Sequence, residues 1–248
     1  MRLDRFLANS GYGTRSQIKK MIRSGSVSIG EVVVVDPAAD IADRDLSMVS
    51  ILGLPVAYSQ YLYLCLNKPD CCLTALDDPR LPTIQQFIPS VLRGKGISAV
   101  GRLDYHTTGV LLLTNDGELN HRLTSPKYHL PKTYIITYKG LMVGEPEAER
   151  FAAGFVLSDR PGEKTILSPS RLVSINENHC ALTIYEGRTH QVRRMMAAIG
   201  RDVIALHRDE FVGIRLLPNQ TPGNLRELTR EEIESLKQAC SIKNNRHP

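Results

Sequence analysis

A polar segment between two apolar runs carries the carboxylate best placed for chemistry in this sequence. It reads GRLDYHTTG over residues 101–109 and lies between ISAV (97–100) and VLLLT (110–114). Asp104 is the acidic residue of this segment, and Arg102 stands two residues before it. A carboxylate in a cleft can act as a nucleophile or as a general acid or base. The structural alternative is an Asx-turn or an ion pair with Arg102, which the spacing alone favours.

A second polar segment, GRTHQVRRM at residues 187–195, joins a strand pattern to an amphipathic helix pattern. Thr189 stands at the expected N-cap, and helical spacing places His190, Arg193 and Arg194 on one face. The amino end of a helix and arginine side chains both bind phosphate well. Arg193 is also a candidate partner that would keep the carboxylate of the first segment ionised. The alternative is an exposed, solvated basic face.

An aromatic residue in an alternating segment is the third candidate. The segment KTYIITY, at residues 132–138, has the period of a strand and contains Tyr134. A tyrosine in a strand usually packs in the core, which is the structural alternative. The functional alternative is a ring that stacks on a nucleic-acid base, with a hydroxyl placed for proton transfer.

Positive charge is concentrated near the amino terminus. The chain carries a net charge of +5, and six of its basic residues lie within the first 30 positions, against the single acid Asp4. Helical spacing over 15–24 places Arg15, Lys19 and Arg23 on one face. This pattern suits a polyanionic partner, and a solvated helix face is the equally simple alternative.

Missing motifs argue against several cofactor-dependent classes. The chain contains no G-x-x-x-x-G-K-[ST], G-x-G-x-x-G or H-E-x-x-H motif, and its seven histidines show no ligand spacing. Its five cysteines form no C-x-x-C pair, which argues against a zinc site or a disulfide framework and for a reducing cytoplasm. We therefore expect no cofactor and no metal. There is no apolar run of about 18 residues and no signal-peptide pattern, so we expect no membrane association.

Helix, strand and turn signals divide the sequence into a small first unit and a larger second one. Residues 2–9 and 15–24 show helical spacing, and VSIGEVVVVD (27–36) reads as two short strands that meet at Gly30. The predicted division is a first unit at 1–50, a linker at 51–60, a second unit at 61–240 and a tail at 241–248. Strands and helices in the second unit are mixed without regular alternation, so the predicted class is α+β.

The second unit has a recognisable series of strand and helix signals. Strands are predicted at 61–67, 97–100, 110–114, 132–138, 171–175, 180–185, 203–207 and 211–216. Helices are predicted after Asp116, over 145–154, over 189–200 and after a capping box formed by Thr229 and Glu232.

Several of these segments resemble one known family. GRLDYHTTGVLLLTNDGEL (101–119), KTY (132–134) and EGRTHQVRRM (186–195) resemble the pseudouridine synthases that modify ribosomal RNA. NKP (67–69) and TALDDPRLPTI (74–84) are most similar to the members specific for 16S ribosomal RNA. The first 50 residues resemble an S4 RNA-binding domain. The implied fold is a small S4-type α/β domain followed by a catalytic domain with a mixed, mostly antiparallel sheet flanked by helices.

The resemblance also implies roles for individual residues. Asp104 matches the catalytic aspartate of the family, and Tyr134 matches the tyrosine that stacks on the target base and assists proton removal. Arg193 matches the basic residue that pairs with the catalytic aspartate. The expected RNA-binding residues are Arg102, Thr107, Thr108, Arg188, His190, Gln191, Arg194, Arg208, Arg15, Lys19 and Arg23.

The activity implied by the resemblance is that of an RNA-modifying isomerase. It would convert one uridine of 16S ribosomal RNA, of the type at position 516, to pseudouridine, without cofactor or metal. The implied partner is ribosomal RNA within a small-subunit assembly particle, and we expect a monomer in the cytoplasm. The alternatives are a synthase acting on 23S ribosomal RNA or transfer RNA, a non-catalytic RNA chaperone or ribosome assembly factor, and a structural ribosomal protein.

Overall fold

The chain divides into two compact units, and the division falls between Tyr61 and Leu62. The architecture is taken from a computed structural model, which describes residues 1–10, 12–56, 61–160 and 163–241. In these ranges, every helix is too short or too polar to cross a lipid bilayer.

The first unit packs two helices against a small antiparallel sheet in the order β2-β1-β3-β4. Its elements are α1 (Leu3–Asn9), α2 (Arg15–Arg23), β1 (Val27–Ile29), β2 (Val32–Val33), a 3-10 helix (Asp43–Met48), β3 (Val49–Ile51) and β4 (Leu54–Pro55). Thr14 and Gln17 form a capping box at the start of α2, as expected for a helix that follows a glycine-containing turn. The apolar faces of both helices are fully buried, with Ile18 and Ile22 facing inward from α2.

The boundary of this unit differs from the predicted one at residue 50. Strands β3 and β4 belong to the first sheet, because Val27 lies opposite Ile51, and Ser50 lies opposite Pro55. The first part of the predicted linker is therefore strand and turn, and residues 57–60 lie outside the described residues. The reason is that strands of two or three residues carry too little local sequence signal to be predicted, and their pairing depends on other segments of the chain. Of the predicted tail, Ser241 ends the last helix, and 242–248 also lie outside the described residues.

The second unit is built on a nine-stranded sheet. The strands of this sheet are β5 (Tyr63–Lys68), β6 (Ser98–Ala99), β7 (Thr107–Thr114), β8 (Lys132–Lys139), β11 (Arg171–Asn176), β12 (His179–Ile184), β13 (Asp202–Phe211), β14 (Ile214–Arg215) and β15 (Leu225–Glu227). A separate two-stranded sheet consists of β9 (Phe155–Arg160) and β10 (Glu163–Leu167). Its α-helices are α3 (Gly117–Thr124), α4 (Glu145–Ala152), α5 (Gln191–Ala197) and α6 (Arg230–Ser241), with short 3-10 helices at Ile84–Phe87, Ser90–Leu92 and Pro126–Tyr128.

The large sheet runs in the order β11-β12-β8-β13-β7-β5-β15, with β14 beside β13 and β6 beside β7. Among the described strands, β13 and β7 form the one parallel pair, and the other pairs are antiparallel. Both faces are covered, because Leu111 and Leu113 of β7 pack in one apolar cluster while Val110 and Leu112 pack in another. The predicted α+β class, with a mixed and mostly antiparallel sheet flanked by helices, is confirmed.

Most predicted elements of the second unit are present, with three differences. The run at 97–100 contributes only the two-residue strand β6, which pairs with the end of β7. Strands β9, β10 and β15 were not predicted, since their sequences alternate weakly. The signals at 203–207 and 211–216 belong to the single long strand β13 and to the short β14 that folds back on it.

A glycine lets two central strands approach closely. Gly109 in β7 has φ +102°, and a Cβ atom there would lie 2.3 Å from the carbonyl oxygen of Arg208 in β13. Only glycine fits such a conformation and such a contact without displacing the backbone. This approach brings the start of β7, and the segment before it, against β13.

Candidate active site

The segment that carries Asp104 connects β6 to β7 and forms a rigid elbow, defined here as residues 100–106. Gly101 adopts a left-handed φ of 71°, and the backbone N–H of Thr107 donates to the carbonyl of Asp104 at 3.0 Å. The side chain of Asp104 is 37% exposed. The elbow therefore presents its carboxylate to solvent from a closed turn rather than burying it.

A buried lysine donates hydrogen bonds to backbone carbonyls at the end of the elbow. Lys68, at the end of β5, is completely buried, and its ammonium group donates to the carbonyls of Pro69 (3.0 Å), Tyr105 (3.2 Å) and Thr107 (2.9 Å). Burial lowers the pKa of the Lys68 ammonium from its ordinary value, with nearby acidic groups acting in the opposite direction. Sequence reasoning did not assign a role to Lys68, although the NKP motif that contains it was noted.

A threonine holds the other side of the elbow. The hydroxyl of Thr74 donates to the carbonyl of Leu103 at 2.7 Å and accepts from the N–H of Leu103 at 3.1 Å. The N–H of Cys72 donates to the carbonyl of Tyr105 at 3.3 Å. The residues after β5 therefore bind the backbone on both sides of Asp104 and fix the direction of its side chain.

Two cavities meet at Asp104. The first has a volume of about 380 Å³, and the elbow, β8, β13 and the segment before α5 form its walls. The second has a volume of about 500 Å³ and lies toward Asp70, His106 and Arg193. Asp104 and His190 line both cavities. Cavities of this size are typical of sites for small ligands and cofactors.

The strand register places three polar side chains on one face of the sheet in the first cavity. Arg208 of β13 lies opposite Tyr134 of β8, and Leu206 lies opposite Thr107 of β7. Opposite and alternate residues of paired strands share a face, so Thr107, Tyr134 and Arg208 point the same way. All three line the first cavity, and all three are buried. The predicted site residues Tyr134, Thr107 and Arg208 therefore lie in the same cavity as Asp104.

The predicted ion pair between Arg193 and Asp104 is not formed among the described residues. The guanidinium of Arg193 donates to the carbonyl of Val203 at 3.2 Å, although Arg193 and Asp104 both line the second cavity. The imidazole of His190 lies near the carboxylate instead, with its Nε2 3.6 Å from Asp104 Oδ1. Arg193 lies on α5, whose packing against β13 directs its side chain to a backbone carbonyl.

The beginning of α5 also differs from the expectation. Thr189 was predicted as the N-cap, but His190 occupies that position with a left-handed φ of 50° and without a side-chain capping bond. This conformation turns the histidine ring toward Asp104. The role of His190 as the neighbour of the carboxylate was not predicted, because backbone conformation at a single non-glycine residue leaves no sequence signal.

Gln191 stabilises the loop before α5 instead of facing solvent. It is buried, its Oε1 accepts from the N–H of Arg188 at 2.9 Å, and its Nε2 donates to Glu186 at 3.3 Å. Glu186 also accepts from the N–H of Ser168 and forms an ion pair with Arg188 at 3.2 Å. Gln191 therefore stabilises this loop and also lines the first cavity, so its RNA-binding role stays a prediction. Arg188 is exposed in the wall of the same cavity.

The remaining predicted residues occupy three different environments. Arg102 is exposed in the wall of the first cavity, and Thr108 lines the second, where its hydroxyl lies 2.8 Å from His207 Nδ1. Arg194 lies on α5, outside the walls of both cavities as far as the described residues define them. Arg15, Lys19 and Arg23 lie exposed on α2 in the first unit.

A group of potential metal ligands lies in and beside the second cavity. Among the described residues, Asp70, Cys71 and His106 place one ligand atom each within 4.8 Å of one another, and all three are exposed. His106 Nδ1 lies 3.0 Å from Asp70 Oδ1, while Cys71 Sγ lies 3.9 Å from the same nitrogen. Hydrogen bonds within the group already account for this geometry, since Asp70 also accepts from the N–H of Cys71.

Comparisons with known proteins agree with the two-unit architecture. A family model described as RNA pseudouridylate synthase matches residues 62–198, and a model described as S4 domain matches residues 1–42. A solved structure described as a pseudouridylate synthase is 39% identical, covers 95% of this chain and 99% of its own, and superposes with a TM-score of 0.66.

Curated relatives match over almost their whole length. Ribosomal small subunit pseudouridine synthase A of Haemophilus influenzae is 40% identical over 95% of this chain and 99% of its own. The protein of the same name from Escherichia coli K12 is 40% identical over 95% of this chain and 100% of its own. An uncharacterized RNA pseudouridine synthase of Bacillus subtilis, YtzG, is 39% identical over 95% and 98%.

Proposed function

The chain belongs to the RNA pseudouridylate synthase family, and from this premise we propose that it converts a specific uridine of 16S ribosomal RNA to pseudouridine. The observation that carries the proposal is the position of Asp104, whose carboxylate lines both cavities beside the buried ring of Tyr134. The names of the relatives from Haemophilus influenzae and Escherichia coli support a small-subunit target. A target of the position-516 type, a small-subunit assembly particle as substrate, and action as a cytoplasmic monomer belong to the same proposal.

The reaction is an isomerisation, so its bonds and protons balance within the nucleotide and water. The bond from C1′ to N1 breaks, the uracil turns, and a bond from C1′ to C5 forms. The proton on C5 is lost to solvent, and N1 takes up a proton. An ionised Asp104 has three chemically reasonable roles: attack on the sugar carbon, attack on the base, or removal of a sugar proton.

The target base has to leave its helical stack to reach Asp104. Extruding a base costs a few kcal/mol, which contacts inside the protein must offset. In our proposal the uracil enters the first cavity and stacks on Tyr134, which is 8% exposed in the cavity wall. The hydrogen bonds from Lys68 and Thr74 to the backbone of the elbow support this assignment, because a carboxylate held in place needs little reorganisation during the reaction.

Exposed cations at the cavity rim suit the RNA backbone. Arg102 and Arg188 are exposed and line the first cavity, so we assign them to phosphates that flank the flipped nucleotide. We assign Arg15, Lys19 and Arg23 of the S4-type unit to sequence-tolerant phosphate contacts elsewhere on the RNA.

Removing the hydroxyl of Tyr134 tests its assigned part in proton transfer. Tyr134→Phe keeps the stacking ring, so we expect normal folding and RNA affinity with turnover reduced by about 10²-fold or more. The matched control is Tyr185→Phe, which removes a hydroxyl from another residue of the same cavity. Turnover of Tyr134→Phe equal to that of the control would remove the hydroxyl from the mechanism.

The basic face of α2 is tested by salt dependence. Replacing Arg15, Lys19 and Arg23 together by glutamine is expected to weaken RNA binding and to lower the slope of log affinity against log salt by about 2 to 3. Lys20→Gln, on the same helix, is the control for a single exposed cation. An unchanged slope in the triple variant would show that this face is only solvated surface.

The activity itself is tested by tritium release. The full-length protein would be incubated with 16S transcript that carries tritium on C5 of its uridines, both free and assembled with small-subunit proteins. One equivalent of tritium released per RNA, followed by mapping of the modified position, is the expected result. Release only from 23S ribosomal RNA or transfer RNA would show that the enzyme acts on that RNA instead of 16S ribosomal RNA. Release from none of the three would leave an RNA chaperone as the better description.

A further inference from the structure

Two buried polar atoms in the first cavity have no hydrogen-bond partner. In the part of the chain that the structure describes, four buried side-chain nitrogen or oxygen atoms are unpartnered, and two of them are Thr107 Oγ1 and Arg208 Nη2. Thr107 is 1% exposed and Arg208 is 2% exposed, and both line the cavity that contains Asp104. Buried polar groups are normally satisfied, so an unpartnered pair in one cavity indicates that a ligand supplies the missing partners.

The guanidinium of Arg208 is held in a fixed orientation by groups that leave Nη2 unused. Its Nε donates to the carbonyl of Val110 at 2.7 Å, and its central carbon lies 4.9 Å from the ring centre of Phe211. Among the described residues, no carboxylate forms an ion pair with it. Nη2 is therefore a buried donor that still needs an acceptor, and a bound ligand can supply one.

Burial favours a role for Arg208 other than contact with a backbone phosphate, the role expected for the basic residues around the cleft. A flipped nucleotide enters the cavity base first, and its phosphates stay at the rim with the exposed Arg102 and Arg188. The group that reaches the floor of the cavity is the edge of the base. The opposed positions of Arg208 and Tyr134 on β13 and β8 place the guanidinium beside the ring on which we propose that the base stacks.

The chemistry of uracil matches these two unused atoms. Its imide edge presents the carbonyl O2, the donor N3–H and the carbonyl O4 in that order. Arg208 Nη2 can only donate, and Thr107 Oγ1 can accept. Resting on the proposed function, we infer that Arg208 and Thr107 form a uracil-reading subsite: Thr107 Oγ1 accepts from N3–H and Arg208 Nη2 donates to the neighbouring ring carbonyl.

This edge has a property that suits an isomerase. Turning the ring by half a revolution about the line through N3 and C6 exchanges N1 with C5 and O2 with O4, while N3–H stays in place. The subsite therefore makes the same two contacts to the uracil before and after it turns. Cytosine carries an amino group in place of O4, so in one of the two orientations that amino group would face Arg208 Nη2, donor against donor. The hydroxyl of Thr107 can accept from N3–H of uracil or donate to N3 of cytosine, so the discrimination rests on Arg208. A site built on such contacts rejects the analogue strongly.

The subsite is tested by nucleotide binding to the full-length protein, measured by calorimetry and by the shift of the unfolding temperature. The probes are uridine monophosphate, cytidine monophosphate and inorganic phosphate. We expect the wild type to prefer uridine monophosphate over cytidine monophosphate by about tenfold or more. Arg208→Lys should lose most of that preference, and Thr107→Val should weaken the binding of both nucleotides, because a threonine hydroxyl can bond to N3 of either base.

The control is Thr133→Val, since the hydroxyl of Thr133 bonds to Thr183 and lies outside the walls of both cavities as far as the described residues define them. It should keep the wild-type preference. Two results would overturn the subsite. One is wild-type behaviour of both test variants, with the preference kept by Arg208→Lys and the affinity kept by Thr107→Val. The other is equal wild-type binding of the three probes, which would describe a plain anion site. No binding of uridine monophosphate by the wild type at millimolar concentration would overturn it as well.

The proposed function and the subsite fail in distinguishable ways. If the wild type prefers uridine monophosphate but releases no tritium from any RNA, the subsite is supported and the proposed isomerase activity is contradicted. If the wild type releases tritium while Arg208→Lys keeps the preference and Thr107→Val keeps the affinity, the subsite alone is wrong. A variant that unfolds is recognised from its unfolding temperature without nucleotide, and the other variant then decides.

Discussion

Replacing Asp104 by asparagine is expected to reduce tritium release by at least about 10³-fold while RNA affinity stays within a few-fold of wild type. Asparagine has nearly the same shape, so the elbow and its hydrogen bonds to Lys68 and Thr74 should remain. What it lacks is the negative charge, which each of the three roles assigned to the carboxylate requires. The measurement is single-turnover tritium release together with filter binding to the same RNA.

The matched control is Asp70→Asn, which removes another exposed carboxylate from the wall of the second cavity. Turnover close to wild type in this control shows that the loss belongs to the position of Asp104 and not to the charge of the cavity. Turnover by Asp104→Asn at the wild-type rate would contradict the proposed mechanism. An RNA chaperone predicts that both variants behave like wild type in RNA binding and that neither wild type nor variant releases tritium.

Replacing Lys68 by methionine is expected to destabilise the second unit by about 2–4 kcal/mol and to reduce turnover as well. The methionine keeps most of the buried stem but leaves the carbonyls of Pro69, Tyr105 and Thr107 without the donor that now binds them. Relief from burying an ammonium group offsets part of the loss, which is why the estimate stays below the sum of three charged hydrogen bonds. Urea unfolding and single-turnover tritium release measure the two effects.

The control for this prediction is Lys139→Met at the end of β8, where the lysine is exposed. It should change the free energy of unfolding by no more than about 0.5 kcal/mol. If Lys68→Met were as stable and as active as this control, the elbow would be held by Thr74 and by its own turn alone. Loss of turnover with unchanged stability would instead assign Lys68 directly to the electrostatics of the site.

Local patterns predicted the elements of this protein well. The capping box of Thr229 and Glu232 at the start of α6, the N-cap of α3 at Asp116, the strands β11 and β12, and the alternation of β8 all depend on residues within a few positions of one another. Such signals act through backbone geometry and the periodic exposure of side chains, so they are readable in one dimension. The motif around Asp104 belongs to the same class, because its glycines, its turn and the apolar strand that follows are contiguous.

Contacts between distant segments were decided only in the tertiary structure. The imidazole of His190, and not the guanidinium of Arg193, lies beside Asp104, and Lys68 binds the backbone of the elbow. Arg208 was expected among the RNA-binding residues around the cleft, and it is buried with Nη2 unpartnered. Each of these depends on how closely β7, β8 and β13 approach and on the conformation of single residues such as Gly109 and His190.

The sequence by itself therefore determined the family, the fold class and the elements on which the candidate site residues lie. The tertiary structure decided which of them touch, because a shift of one residue in strand register or one rotation of a helix exchanges the side chains that face a cavity. Packing energy is summed over the whole core and leaves no signature at any one position. Which charged side chains form hydrogen bonds with one another depends most strongly on this packing, because a hydrogen bond requires its two atoms to lie about 3 Å apart.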